Sequence, residues 1–206
     1  MPHKYADIAF TPSVRAVQNA QGGRRRLGHH PDPATPDDLL GEDESAFISE
    51  RDSFYMATVS ETGWPYVQHR GGPQGFIKVL DRQRIAFADY RGNRQYVSVG
   101  NLSKDDRVAL ILVDYPARAR LKMLGHVTLV TTDDEELLQQ LANPAYGATV
   151  ERAFVIHVSG YDWNCPQHIT PRFTIAQVEQ ATESLHERVR MLESELQSLR
   201  THRTDS

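Results

Sequence analysis

Val67 to Arg94 reads VQHRGGPQGFIKVLDRQRIAFADYRGNR. Two apolar runs, Phe76 to Leu80 and Ile85 to Ala88, have strand character and alternate with glycine-rich basic loops. His69-Arg70-Gly71-Gly72 precedes the first run, and Asp89-Tyr90-Arg91-Gly92-Asn93-Arg94 follows the second. Such loops suit a phosphate or other polyanion. Glycine lets backbone N–H groups approach closely, and arginine supplies bidentate charge-assisted hydrogen bonds. These residues therefore describe anion-binding loops carried on a β scaffold.

Outward from this stretch, more strands are expected. Ser53 to Ser60 is followed by the turn Glu61-Thr62-Gly63 and a strand from Trp64; Gly75 to Leu80, Arg84 to Ala88, Arg107 to Val113, Ala119 to Val130 and Arg152 to Tyr161 complete the set. Helices are expected after Pro36 (two short ones, interrupted at Gly41), from Asn93 to Leu102 with Asn93 as cap, and after Thr131-Thr132-Asp133-Asp134-Glu135. Six or seven strands with few helices between them make an antiparallel barrel or sandwich, mainly β within an α+β class, rather than a doubly wound sheet.

The ends differ in character. Met1 to Pro36 is a proline-punctuated arm carrying Arg24-Arg25-Arg26, with a short helix expected over Ser13 to Ala20 capped by Ser13. It reads equally as a clasp on a partner subunit or as a loosely packed leader. From Ile175 the residues Ile175, Val178, Thr182, Leu185, Val189, Leu192, Leu196 and Leu199 step by alternating threes and fours, an unbroken heptad seam. Self-association as a coiled coil is the favoured reading, and packing on the chain's own barrel is the other. Three regions follow: an arm (1–36), a barrel domain (37–173) and a heptad-patterned helix (174–206).

Composition narrows the class. The 206 residues are 39% apolar and 24% charged, with net charge -4, so bulk attraction to nucleic acid or acidic membranes is not expected. Cys165 is alone, which excludes an intrachain disulfide and a cysteine metal cage. The longest apolar run, Val108 to Val113, is far short of the roughly 20 residues of a membrane span. A cytoplasmic protein is expected. None of the nine histidines makes the i, i+4 helix pair of a zinc site, and no Ser-His-Asp arrangement or Walker-type loop is present.

The order of these pieces resembles the pyridoxamine 5'-phosphate oxidase-like FMN-binding split-barrel family. Four segments carry the resemblance: HRGGPQGFIKVL (His69 to Leu80), FADYRGNRQY (Phe87 to Tyr96), RLKMLGHV (Arg120 to Val127) and YDWNCPQHITPRF (Tyr161 to Phe173). It implies a homodimer with FMN in a groove between two barrels, in a subgroup distinct from the founding oxidase. It further implies that His69, Arg70, Gly71 and Gly72 reach the flavin and that Lys78 lies near substrate. Ala88, Asp89, Asn93, Arg94 and Gln95 would cover ribityl and phosphate. Arg120 stands where a flavin-contacting glutamine is common, and Trp163 and Arg172 match residues the partner directs at the flavin.

The inventory is chemically coherent. A phosphate needs arginine, a ribityl chain needs amides or hydroxyls, and an isoalloxazine needs a cationic donor and a flat apolar wall. Bland roles compete: Arg70 and Arg120 as cross-strand charges, Trp163 as a core cap, Asp89 as a turn residue. The Arg-x-His-Asp-Arg element by which the oxidases grip pyridoxamine phosphate is replaced by His168-Ile169-Thr170-Pro171-Arg172, which argues against that substrate. The catalytic residue is unassigned, with Lys78 and His168 as candidates. The expected function is an FMN-dependent oxidoreductase of a small reduced substrate. The alternatives are a flavin- or haem-binding module without turnover, and a coiled-coil assembly protein with an inert barrel.

Overall fold

The computed structural model describes residues 4–22, 38–131, 134–164 and 167–204. Seven strands carry the fold: β1 (Ser53–Val59), β2 (Pro65–Gly71), β3 (Lys78–Val79), β4 (Arg84–Tyr90), β5 (Arg107–Asp114), β6 (Ala119–Val130) and β7 (Val150–Asn164). They form one sheet in the order β2-β1-β5-β6-β7-β4-β3, antiparallel at every step. This is the expected mainly-β architecture. Helices are α1 (Lys4–Ala9), α2 (Pro12–Ala20), α3 (Glu42–Ser49), α4 (Val97–Leu102), α5 (Glu135–Leu141) and α6 (Ile175–Thr204). The chain divides into two compact units, Met1–Asp114 with Arg118–Ile169, and Tyr115–Ala117 with Thr170–Ser206. No helix among the described residues is long and apolar enough to cross a membrane.

Period-two alternation builds the core of the first unit. Phe54, Met56 and Thr58 of β1 point inward, while Tyr55, Ala57 and Val59 point outward. Phe87 of β4 stacks on Phe154 of β7 at 4.9 Å and meets Phe54 edge-on at 5.2 Å. β1 and β4 stand far apart in the strand order, so this ring contact requires the sheet to curl. Each such fully buried aromatic contributes about 1.5–3 kcal/mol by removal from water. Ala86 and Ala88 face the other side of β4, against Leu141 and, at the edge of that second cluster, Leu137 and Leu138 of α5.

Several boundaries differ from expectation, each for a local reason. Leu39 and Leu40 precede the helix instead of forming one: α3 begins after Gly41, whose N–H donates to Glu44 Oε2 at 2.9 Å, and Leu40 is buried in the core. In the arm, α2 starts at Pro12 and its cap is Thr11, whose Oγ1 accepts from Val14 N, because proline belongs at the first helical position. The expected strand from Gly75 to Leu80 shrinks to Lys78–Val79, since Gly75 takes φ +75 and Phe76 and Ile77 turn into the core.

The helix expected from Asn93 begins only at Val97. Arg94 and Tyr96 sit in left-handed backbone (φ 60 and 51), so Asn93 accepts from Gln95 N in a tight turn rather than capping a helix.

A bulge at Leu124/Gly125 interrupts the β6–β7 ladder. A Cβ on Gly125 would lie 2.4 Å from the carbonyl oxygen of His157, a backbone atom that cannot swing away. Gly125→Ala is therefore expected to cost about 1–3 kcal/mol. Gly92→Ala, which meets nothing within 4 Å, should be near neutral. Denaturant unfolding of both variants beside the wild type checks this; equal stabilities would refute the bulge argument.

Candidate functional site

A polar cleft opens where β2, the end of β4, the turn before α4 and the start of β7 converge. Tyr66, Gln68 and Arg70 line it from alternate positions of β2, and Asp89 and Tyr90 line it from β4. Gly92 to Val99 form one wall, and Glu151 joins it by accepting from Tyr96 Oη at 3.2 Å.

Asp89 is the electrostatic centre. Arg70 Nη1 donates to Asp89 Oδ1 at 2.8 Å, and Arg152 Nε approaches Asp89 Oδ2 at 3.2 Å. Antiparallel pairing sets Asp89 directly opposite Arg152. The Arg70 guanidinium also lies 4.9 Å over the Phe154 ring, and that of Arg152 lies 4.9 Å over Tyr96. Burial raises the Asp89 carboxyl above its ordinary value, with Arg70 and Arg152 opposing the rise. Burial likewise lowers Arg70, with Asp89 opposing. The two shifts agree: desolvation of this pair outweighs its mutual attraction. Arg91 chiefly, then Tyr96 and Arg152, hold the Glu151 carboxyl below its usual value.

Some hydrogen-bonding capacity is left over. Arg70 Nε and Tyr90 Oη are buried without a hydrogen-bond partner among the described residues. Arg94 is exposed at the rim in left-handed backbone and makes no ion pair among the described residues. A non-glycine residue held in that region costs energy that the surrounding loop must offset. Ser98 Oγ donates to Gln68 Oε1 at 2.9 Å, tying α4 to β2.

The residues singled out from sequence divide by strand face. Arg70, Asp89, Asn93, Arg94 and Gln95 line the cleft together. His69 is on the opposite face of β2, edge-on to Tyr55. Gly71 ends that strand, and Gly72 packs on Phe76, where a Cβ would lie 2.7 Å from the ring. Lys78 pairs with Ala86 and so shares the β4 face of Ala86 and Ala88, the face away from Asp89. Arg120 pairs with Val113 on the outward face of β5 and β6, and its Nε is buried without a hydrogen-bond partner among the described residues. Trp163 Nε1 donates to Glu44 Oε1 at 2.6 Å, and its ring meets Phe47 edge-on at 4.7 Å. His168 is exposed with φ 65. Within the second unit, Arg172 stacks 5.0 Å over Tyr115.

Tyr66, Gln68, Ser98, Glu151 and Arg152 escaped the sequence reading. Stepping back by two from Arg70 would have found Gln68 and Tyr66. Nothing local signals Glu151 or Arg152, whose place follows from the β4–β7 register.

A family model described as pyridoxamine 5'-phosphate oxidase matches residues 40–169. Among solved structures, HupZ of Group A Streptococcus is 14% identical with a TM-score of 0.50, covering 66% of this chain and 100% of that one. An FMN-binding protein from Syntrophomonas wolfei is 8% identical (TM-score 0.47; 59% and 83% covered). HutZ, the heme storage protein of Vibrio cholerae, is 15% identical (TM-score 0.41; 60% and 93% covered). At these identities the likeness concerns the fold alone. No curated protein sequence matches the chain.

The raised Asp89 value has a definite sign. The folded carboxyl binds its proton more tightly than the unfolded one, so its favourable contribution is present below the ordinary carboxylate range. That contribution is lost as pH rises through the raised value. Asp89→Asn cannot titrate. The stability of the wild type minus that of the variant should fall as the pH is raised from below the ordinary carboxylate range to neutrality. Chemical denaturation at both ends of that range measures it, and a rising difference would contradict the burial argument.

Proposed function

The chain belongs to the pyridoxamine 5'-phosphate oxidase family, and from that premise we propose that it is an FMN-dependent oxidoreductase acting on a small reduced substrate. In this proposal the flavin lies at the interface of a homodimer. The observation that carries it is Arg94, a guanidinium without an ion pair among the described residues, lining the same cleft as Arg70, whose Nε has no hydrogen-bond partner among them. These donors fit a phosphate-bearing, polyhydroxylated group. Arg94 would take the phosphate with the Asn93 side chain. Arg70, anchored by Asp89, has its Nε left to donate. Gln68 and Ser98 already share a hydrogen bond at the cleft and would turn to ribityl hydroxyls.

The outward sheet face supplies the flat apolar wall that a three-ring system needs. Tyr55, Ala57, Val67, Ala109, Ile111 and Leu124 line a shallow apolar depression there, and Arg120 stands on the same strand phase as Leu124. Arg120 Nε would donate toward negative charge developing on the ring system. Trp163, bonded to Glu44, would support the site from within its own barrel rather than touch the ring.

When bound, the flavin supplies the capacity to accept a hydride or electrons, so no protein nucleophile is required. The replacement by His168 and Thr170 of the arginine and histidine that grip pyridoxamine phosphate argues against that substrate.

Purified protein is expected to be yellow, with absorbance near about 450 nm. Arg94→Ala should weaken FMN binding roughly ten- to a hundredfold, the worth of about 1.5–3 kcal/mol for a charge-assisted hydrogen bond. Fluorescence titration of the apoprotein with FMN measures this, and an unchanged affinity would remove Arg94 from the site. Anaerobic addition of reduced nicotinamide separates turnover from storage. Bleaching supports an oxidoreductase, and persistent colour supports a module that only holds its ligand.

A further inference from the structure

The heptad seam lies on a single continuous helix. α6 spans 30 residues, about 45 Å at 1.5 Å per residue. Its start is fixed by a capping box: Thr174 N donates to Gln177 Oε1 at 2.9 Å, and Gln177 N donates to Thr174 Oγ1 at 3.2 Å. The seven apolar seam residues, Ile175, Val178, Leu185, Val189, Leu192, Leu196 and Leu199, are 41 to 79% exposed. An apolar stripe of this length in water is unstable unless something covers it.

The flanking charges identify the cover. With Ile175, Thr182, Val189 and Leu196 at position a, Val178, Leu185, Leu192 and Leu199 occupy position d. Arg188 and Glu195 then fall at g, and Glu193 and Arg200 at e. In a parallel pair each g residue meets the e residue five positions on in the other helix. Arg188 meets Glu193 of the partner subunit, and Glu195 meets Arg200 of the partner subunit. Both contacts join opposite charges, and two-fold symmetry repeats each. A slip of one heptad either way destroys this: Arg188 would face the partner's Arg200, or Glu195 the partner's Glu193. Among parallel pairings, the charge pattern therefore selects one register.

The apolar layers agree. Three of the four a positions are β-branched and three of the four d positions are leucine, the pattern of parallel two-stranded coils. Thr182, the polar seam residue, has its hydroxyl satisfied by donating to Val178 O at 2.8 Å within its own helix, so it enters the seam without an orphaned donor.

We propose that α6 pairs with α6 of a second copy of this chain as a parallel, in-register two-stranded coiled coil, its register set by Arg188–Glu193 and Glu195–Arg200 contacts across the pair. The proposal is independent of the flavin reading, since none of its residues lies in the cleft.

The test uses the full chain carrying Cys165→Ser, so that one introduced thiol reports. Leu199→Cys places thiols face to face across a parallel coil. In an antiparallel coil centred on the Val189/Leu192 layer, residue 199 faces position 182, and the two thiols stand about 25 Å apart. In a glutathione redox buffer the Leu199→Cys chain should form a disulfide-linked dimer. Gln197→Cys, on the outer b position, should cross-link far less. Arg188→Glu should lower the Leu199→Cys yield at least severalfold. Adding Glu193→Arg should restore it, and adding Glu195→Arg should not. Circular dichroism confirms that each variant keeps its helix. Equal cross-linking at positions 197 and 199, or no dimer at 199, would overturn the coil. Rescue by Glu195→Arg instead of Glu193→Arg would overturn the parallel register.

Discussion

One buried ion pair ties the first unit together. Arg70 stands on β2 at one edge of the sheet, and Asp89 on β4, next to the strand at the other edge. Their 2.8 Å contact closes the curl that the Phe54, Phe87 and Phe154 rings begin. Arg152, opposite Asp89 across the β4–β7 ladder, adds a second cation to the same carboxylate. Burial disfavours both Arg70 and Asp89 in their charged forms, so the pair contributes position more than stability. It sets where the two edges meet, and the cleft exists because they meet there.

The cleft and the outward apolar face are two products of one alternation. On β2, Tyr66, Gln68 and Arg70 turn toward the cleft, while Val67 and His69 turn outward. A ligand with a phosphate at one end and an apolar ring system at the other would need both kinds of surface. Their chemistry is complementary to such a molecule: arginines, amides and hydroxyls on one, Tyr55, Val67, Ile111 and Leu124 on the other. Lys122, ion-paired with Asp162, lines the mainly apolar depression, and Arg120, two residues earlier on β6, has a buried Nε without a hydrogen-bond partner among the described residues.

The second unit follows different physics. Its helix begins with a side-chain capping box and continues through eight seam positions without a break. Its exposed apolar residues make association with another surface the natural sink for their hydration cost.

Local chemistry in the sequence determined the strands, the glycine-arginine turns, the family resemblance and the heptad register, because period-two and period-3.5 patterns are properties of neighbouring residues. The resemblance named Arg70, Asp89, Asn93, Arg94 and Gln95 among the flavin-contacting residues, and these five line the cleft. Which face each side chain takes was decided only in three dimensions. Ala88 and Lys78 share the face of β4 away from Asp89, His69 turns away from Arg70, and Trp163 bonds to Glu44, 119 residues earlier. Arg152 and Glu151 enter the site only through the pairing of β4 with β7, a contact across some 60 residues that no local pattern encodes. Long-range register is set by the closing of the whole sheet, and that is a property of the packed core rather than of any one stretch.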